Sequence, residues 1–291
     1  NRLTVAGLGG IDRITVVASV KKRQRREAAT QAAVADIHDL YERAVQDPEG
    51  EARFVSNKFK ALRGRHAMTL REDFGGTGIF SLAWARSRRG RTACSVDLDA
   101  STQAWGAEHR VAHAPDHVRS RVHYEHANVL DGAEEPVDVV VAFNFSYWIF
   151  KTRAELRRYF EVARARLGPD GVLFLDAFGG LDVPQQDEHR VDHDDFTYVW
   201  EQRHFDVLTH DFECAIGFEF DDGSTIKSAF RYSWRLWSLV EIRELLEEAG
   251  FSKVNLYWEI NDADGEGTGR FHRPKSAENE HVWWTYIAAE K

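Results

Sequence analysis

Met68-Thr69-Leu70-Arg71-Glu72-Asp73-Phe74-Gly75-Gly76-Thr77-Gly78 is the stretch on which the reading of this chain turns. It passes from apolar to acidic to glycine-rich, then gives way to the apolar segment Ile79-Phe80-Ser81-Leu82-Ala83-Trp84. That is the order of a buried strand, a sharp turn and a helix start, and an open α/β sheet binds its ligand at such a turn. Glycine suits the place because it tolerates positive φ and lets a ligand approach the backbone.

Downstream, Arg91-Thr92-Ala93-Cys94-Ser95-Val96 reads as a second strand ending in Asp97-Leu98-Asp99. Asp97 follows the glycines by about twenty residues, the interval at which a βαβ unit places the acid that accepts from vicinal ribose hydroxyls. A helix over 103–113 leads to a third strand, 122–125, and to His126-Ala127-Asn128-Val129-Leu130-Asp131. The apolar run 137–143 predicts a strand buried on both faces. A helix over 151–167 stops at the turn Gly168-Pro169-Asp170-Gly171, and a fifth strand occupies 172–176. This alternation predicts a Rossmann-like α/β fold with a doubly wound, mostly parallel sheet. The rhythm then changes. Residues 182–195 read as a polar loop, and 196–205, 208–220 and 225–237 as long strands of an antiparallel insertion spanning about 182–237. A helix over 239–249, a strand over 253–260, a Gly-rich loop at 262–269 and a last strand over 281–288 close the chain.

Upstream, the basic run Lys21-Lys22-Arg23-Gln24-Arg25-Arg26 follows an apolar stretch, the wrong order for a secretory signal. Residues 1–26 are expected to be a poorly ordered extension, and the lack of an initial Met suggests that this is not the natural start. Residues 27–66 read as two helices broken at Asp47-Pro48-Glu49-Gly50, forming a lid over the first strand, with 67–291 as the main domain. Of 291 residues, 43% are hydrophobic and 12% aromatic, which is enough for a large core. The formal charge of −9 argues against a broad nucleic-acid surface and favours a small-molecule substrate. Two distant cysteines, Cys94 and Cys214, lack metal or redox spacing and read as reduced thiols of a cytoplasmic protein without a membrane-spanning run.

The motifs resemble the class I S-adenosylmethionine-dependent methyltransferases, over about residues 70–288, and more narrowly a bacterial small-molecule subgroup. The resemblance implies S-adenosyl-L-methionine as cofactor and methyl transfer as activity. It assigns Glu72, Gly75, Gly76 and Gly78 to the cofactor turn, Asp97 with Leu98 to the ribose, and Asn128 with Val129 to the adenine. It also sets the loop Asn144-Phe145-Ser146-Tyr147 beside the transferred methyl. Tyr41, on the apolar face of the lid helices, is a candidate cofactor contact or else an ordinary core residue. Two positions depart from the pattern: Phe74 stands where the first glycine is usual, and Asn128 where Asp is commoner.

The acceptor side is less specific. Asn144 and Tyr147 faintly resemble the amine-orienting motif of amino methyltransferases, but without its prolines. Arg235, flanked by Trp234 and Trp237, is a possible clamp for a substrate carboxylate or else a structural ion-pair partner. His204 is a possible general base. His189, His193, His204 and His210 lie among acids, yet in loop-like or strand-like sequence that argues against a metal site. A nicotinamide-dependent oxidoreductase and a non-catalytic S-adenosylmethionine-binding protein are the rival readings.

Overall fold

The computed structural model describes residues 29–131, 135–261 and 267–291, so the expected 1–26 extension lies outside the described residues. Three helices open the chain: α1 (Gln31–Val34), α2 (Ile37–Val45) and α3 (Pro48–Arg63). Sequence periodicity predicts one helix where α1 and α2 lie. Asp36 divides them, because its side chain caps the N–H groups of His38 and Asp39. The break at Asp47-Pro48 proves to be a helix start: the Asp47 carboxylate accepts from Gly50 N, Pro48 takes the first helical position, and Gly64 ends α3 in the left-handed region.

The main domain then alternates through β1 (Thr69–Asp73), α4 (Ile79–Ser87), β2 (Thr92–Asp97), α5 (Ala100–Gly106), α6 (Asp116–Arg119), β3 (Val122–His126), β4 (Val137–Ala142), α7 (Arg153–Arg166) and β5 (Leu167–Gly179). These five strands are parallel in the order β3-β2-β1-β4-β5. β1 lies between β2 and β4, so the strand order reverses at the glycine turn, where such sheets open their binding crevice. The expected turn at Gly168–Gly171 is instead the start of β5, whose Leu167 already pairs with Val137.

Four antiparallel strands follow as a separate sheet: β6 (Asp187–Asp192), β7 (Thr197–Phe205), β8 (Asp211–Glu219) and β9 (Thr225–Arg235). β6 occupies the segment expected to be a polar loop. It is exposed along its whole length, so no buried face marks it in the sequence. After α8 (Leu239–Glu248), the strands β10 (Lys253–Asn261), β11 (Gly267–His272) and β12 (Trp283–Glu290) complete the first sheet in the order β11-β10-β12-β5. β12 runs antiparallel to β5. The Gly-rich loop expected at 262–269 falls partly outside the described residues, and from Gly267 it is strand.

Apolar layers cover both faces of the main sheet. Phe54, Val55 and Phe59 of α3 pack with Phe80 and Trp84 of α4 on one face. Leu156, Tyr159 and Phe160 of α7 pack with Ile242, Leu245 and Leu246 of α8 on the other. α2 rests on the small sheet through Leu40, which packs with Phe196, Ile216 and Phe218. The N-terminal helix is also tied to the β8–β9 hairpin: Gln31 N donates to Asp222 Oδ2 at 2.8 Å and Ala32 N to Ser224 Oγ at 3.0 Å. No described helix is long and apolar enough to cross a membrane.

Candidate active site

The turn after β1 keeps a glycine-type path although its first residue is Phe74. Phe74 has φ +58°, in the left-handed region that L-residues enter at a cost. Its half-buried ring packs on Tyr159 at 5.7 Å and Phe150 at 6.1 Å, so the side chain is recovered as packing. The glycines that follow are required by the protein's own crowding. A Cβ on Gly75 would lie 2.0 Å from Ser95 Oγ, and one on Gly78 would lie 2.7 Å from the Tyr124 ring. Gly76, at φ +53°, has open space instead, with nothing nearer than 3.8 Å.

Two acids frame that turn. Glu72 is buried beneath it, and its Oε2 accepts from Ser81 N at 3.0 Å and Ser81 Oγ at 2.5 Å. Burial pushes its pKa up to about 8; the Ser81 hydrogen bonds oppose that shift, while the charges of Asp97 and Asp73 add to it. Asp97, at the end of β2, accepts from Gly76 N at 2.8 Å through Oδ2 and from Asp99 N at 2.8 Å through Oδ1. These two bonds fix the carboxylate while each oxygen keeps acceptor capacity. Leu98 beyond it is 63% exposed, leaving an open apolar edge. Past the end of the neighbouring strand β3, Asn128 Oδ1 accepts from Leu130 N at 3.0 Å, which shapes that loop, and Val129 beside it is buried.

The N-terminal helices reach this turn through a residue that sequence reading misses. Glu42 of α2, buried, accepts from Thr77 Oγ1 at 2.6 Å and from Arg110 Nε at 2.6 Å. Tyr41, a candidate cofactor contact, lines a cavity that it shares with Asn144 and Phe145. Its ring lies 4.8 Å from Phe230, and burial raises its pKa to about 12.

The loop after β4 is the most strained part of the site. Asn144 and Phe145 both lie in the left-handed region, at φ +56° and +57°. Asp176, buried in β5, holds them there: Oδ2 accepts from Asn144 N at 2.8 Å and Oδ1 from Phe145 N at 3.0 Å. One carboxylate thus satisfies both strained N–H groups, the kind of surrounding constraint that lets such a conformation persist. Burial lifts the Asp176 pKa to about 7 against the lowering effect of those two N–H donors.

Asn144 and Phe145 open onto a cavity of about 470 Å³ between the main sheet, the small sheet and α2. Its walls include Tyr41, Phe178, Trp200, Tyr232, Trp234 and Trp284, with Asn144, His189 and Gln202 as polar groups. Three expected catalytic residues do not face it. Tyr147 is fully buried, and its hydroxyl donates to Asp176 O at 2.7 Å within the core. Arg235 donates to Glu241 Oε1 at 2.8 Å and lies 3.8 Å over the Trp237 ring, so it is a structural pair. Trp237 stands two residues beyond Arg235, just past the end of β9, a spacing at which an extended chain sends both side chains to the same side. His204 is exposed, outside the cavity lining, because a register shift between Gln202 and His204 interrupts the inward alternation that Tyr198, Trp200 and Gln202 maintain.

The donor set of the crevice suits a nucleoside carrying a positive charge. Asp97 presents carboxylate oxygens at the edge, Gly76 leaves space, and a cation bound there would favour the ionised forms of the buried acids Glu72 and Asp176. Among the described residues, no group of three or more His, Cys, Asp or Glu is arranged to hold a metal.

No protein-family model and no curated protein matches the chain. Solved structures do. A methyltransferase dependent on S-adenosylmethionine from Clostridium acetobutylicum superposes with TM-score 0.65 at 14% identity, over 87% of this chain and 97% of that one. CalS10, an amino pentose methyltransferase from Micromonospora echinaspora, gives 0.62 at 16%, over 88% and 98%. The sugar N-methyltransferase KedS8 from Streptoalloteichus gives 0.57 at 17%, over 100% and 99%. At such identities the likeness establishes the fold, and that fold is the Rossmann-like architecture of the S-adenosylmethionine-dependent methyltransferases.

Proposed function

We propose that this chain is an S-adenosylmethionine-dependent methyltransferase acting on a small molecule held in the aromatic cavity. One observation carries the reading: the crevice at the strand-order reversal, with Glu72 below and Asp97 at its edge, meets the cavity at the strained Asn144–Phe145 loop. β1 and β4 are direct neighbours, so a ligand at the turn and a ligand in the cavity would share that loop. The descriptions of CalS10 and KedS8 as amino pentose and sugar N-methyltransferases support a small-molecule acceptor.

Bound S-adenosylmethionine would supply a methyl group already activated by its sulfonium. The protein's own task is therefore positioning. Asp97 would hold the ribose, Gly76 would let the chain pass close to the backbone, and Asn128 would contact the adenine. Asn144 and Phe145 would set the approach of the acceptor, with reacting atoms about 3–3.5 Å apart before in-line attack. The helices α1–α3 act as a lid, latched to the turn by Glu42 and Thr77. Thermal stabilisation is the test: S-adenosylhomocysteine should raise Tm, and nicotinamide dinucleotides should leave it unchanged. The opposite pattern would sink the reading in favour of an oxidoreductase. Stabilisation without methyl uptake by any of a panel of amines, carboxylates and phenols would leave a binding protein.

A further inference from the structure

Beside the aromatic cavity lies a second one of about 630 Å³, and Val45 and Trp284 wall both. Its rim is mixed in charge, with Asp47, Arg53 and Arg270 exposed. Its floor is not. Glu51, in the first turn of α3, lines the cavity at only 8% exposure, and its carboxylate makes no hydrogen bond or ion pair with any described residue. The half-buried Lys58 is engaged elsewhere: its Nζ donates to Phe271 O at 3.2 Å and lies 4.7 Å over the Tyr257 ring. Glu259 already accepts from Gly269 N at 2.7 Å.

A buried carboxylate without a partner is costly, and proteins normally pair or neutralise it. Burial holds the Glu51 pKa well above the ordinary range, and the charges of Asp176, Glu72 and Asp47 add to that effect. Aromatic rings form the adjoining wall. Phe54 stacks on Tyr286 at 4.0 Å, and Trp284 meets Tyr286 edge-on at 4.2 Å. A lone carboxylate set among π-faces is the environment that recognises an organic cation, since both the charge and the ring quadrupoles attract it.

We propose that Glu51 is the counter-charge for a protonated amine that enters this cavity, with Phe54, Trp284 and Tyr286 as its aromatic walls. Two molecules could carry that amine: the acceptor, whose body would fill the adjoining aromatic cavity, or the amino-acid end of the methyl donor. Its part in turnover rests on the methyltransferase reading.

The test uses the full chain and the isosteric variant Glu51→Gln. Because the variant replaces an unpaired buried acid by a neutral isostere, its Tm should equal or exceed that of the wild type, which separates binding effects from misfolding. Calorimetry then compares two matched pairs. S-adenosylhomocysteine carries the amino-acid ammonium, and 5′-methylthioadenosine lacks it. 2-Phenylethylamine carries an ammonium, and 2-phenylethanol replaces it with a hydroxyl. If the acceptor is the source, the wild type prefers the amine to the alcohol by about 10-fold or more, and E51Q abolishes the preference while leaving S-adenosylhomocysteine unchanged. If the donor is the source, E51Q weakens S-adenosylhomocysteine by about 10-fold or more and leaves 5′-methylthioadenosine unchanged. Unchanged binding of every probe in E51Q, or equal losses within each pair, overturns the proposal. Failure of the wild type to bind S-adenosylhomocysteine overturns the methyltransferase reading instead, and the amine and alcohol pair still decides the cation site.

Discussion

Replacing Phe74 separately by Gly and by Ala should divide its ring from its backbone. Both variants lose the half-buried ring and its contacts with Phe150 and Tyr159. A fully buried Phe→Ala change costs roughly 3–5 kcal/mol, so a half-buried ring should cost about 2–3 kcal/mol. The variants then part. At φ +58° an alanine keeps the left-handed penalty of about 1–2 kcal/mol, which glycine escapes. Glycine gives back about 0.4–1 kcal/mol through its freer unfolded chain. The balance leaves Phe74→Gly about 1 kcal/mol more stable than Phe74→Ala, the reverse of the usual order of those residues. Urea unfolding measures it: the midpoints should rank Phe, then Gly, then Ala, with the two variants some 0.3–0.5 M apart at unchanged slope. An alanine variant as stable as the glycine one would refute the positive φ, and with it the claim that a phenylalanine follows a glycine's path.

Three further outcomes follow from the site. Asp97→Ala should weaken S-adenosylhomocysteine by about 10- to 100-fold, since hydrogen bonds to a carboxylate are worth about 1.5–3 kcal/mol; unchanged affinity by calorimetry would contradict the ribose assignment. Asp176→Ala strands the N–H groups of Asn144 and Phe145, so it should lower stability by about 2–4 kcal/mol and reduce methyl transfer more than donor affinity; equal losses in transfer and affinity would count against the loop as the acceptor's guide. The ligand-free protein should lose stability as pH rises. Glu72 and Asp176 keep their protons to about 8 and about 7 when folded but release them near pH 4 when unfolded, so their contribution is full below pH 4 and lost through that window. Asp99, held down to about 2 by the hydroxyls of Ser101 and Thr102, contributes in the opposite sense, but only below about pH 4. Tm should therefore fall between pH 5.5 and 8.5, and a steady rise across that span would contradict the burial of the two acids.

The parallel half of the fold was legible through the alternation of strand-like and helix-like segments, with β1 and β2 each closing on an acid, Asp73 and Asp97. The run over Val137–Ala142 and the turn at Gly75–Gly78 announce themselves locally. β6 was not legible, because an edge strand exposed on both faces carries no apolar alternation. The site divides along the same line. Glu72, Gly76 and Asp97 stand at fixed places in one βαβ unit, and the structure joins Gly76 to Asp97 by a hydrogen bond. Tyr147 rested on a motif without its prolines, and Arg235 and His204 on residue type alone; tertiary packing directs the three into the core, an ion pair and solvent. Glu42 and Glu51 lie on amphipathic helices where a glutamate is ordinarily solvated, so only the docking of those helices distinguishes them. Asp176 did carry a signal: an acid closing a run of apolar residues has to be satisfied by something.

The bonds between Gln31, Ala32 and the Asp222–Ser224 hairpin have a consequence for how specificity can be inherited. Beyond the walls that the main sheet supplies, the aromatic cavity draws on two stretches far apart in the chain, Tyr41 and Val45 near its front and Tyr198 to Trp234 in the insertion, and that hairpin fastens the insertion to the front of the chain. Transplanting the four-stranded sheet into a relative would carry only part of the acceptor wall and would break its anchor to α1. A working chimera has to exchange both stretches together, and recombination with a single crossover between them would yield mismatched halves.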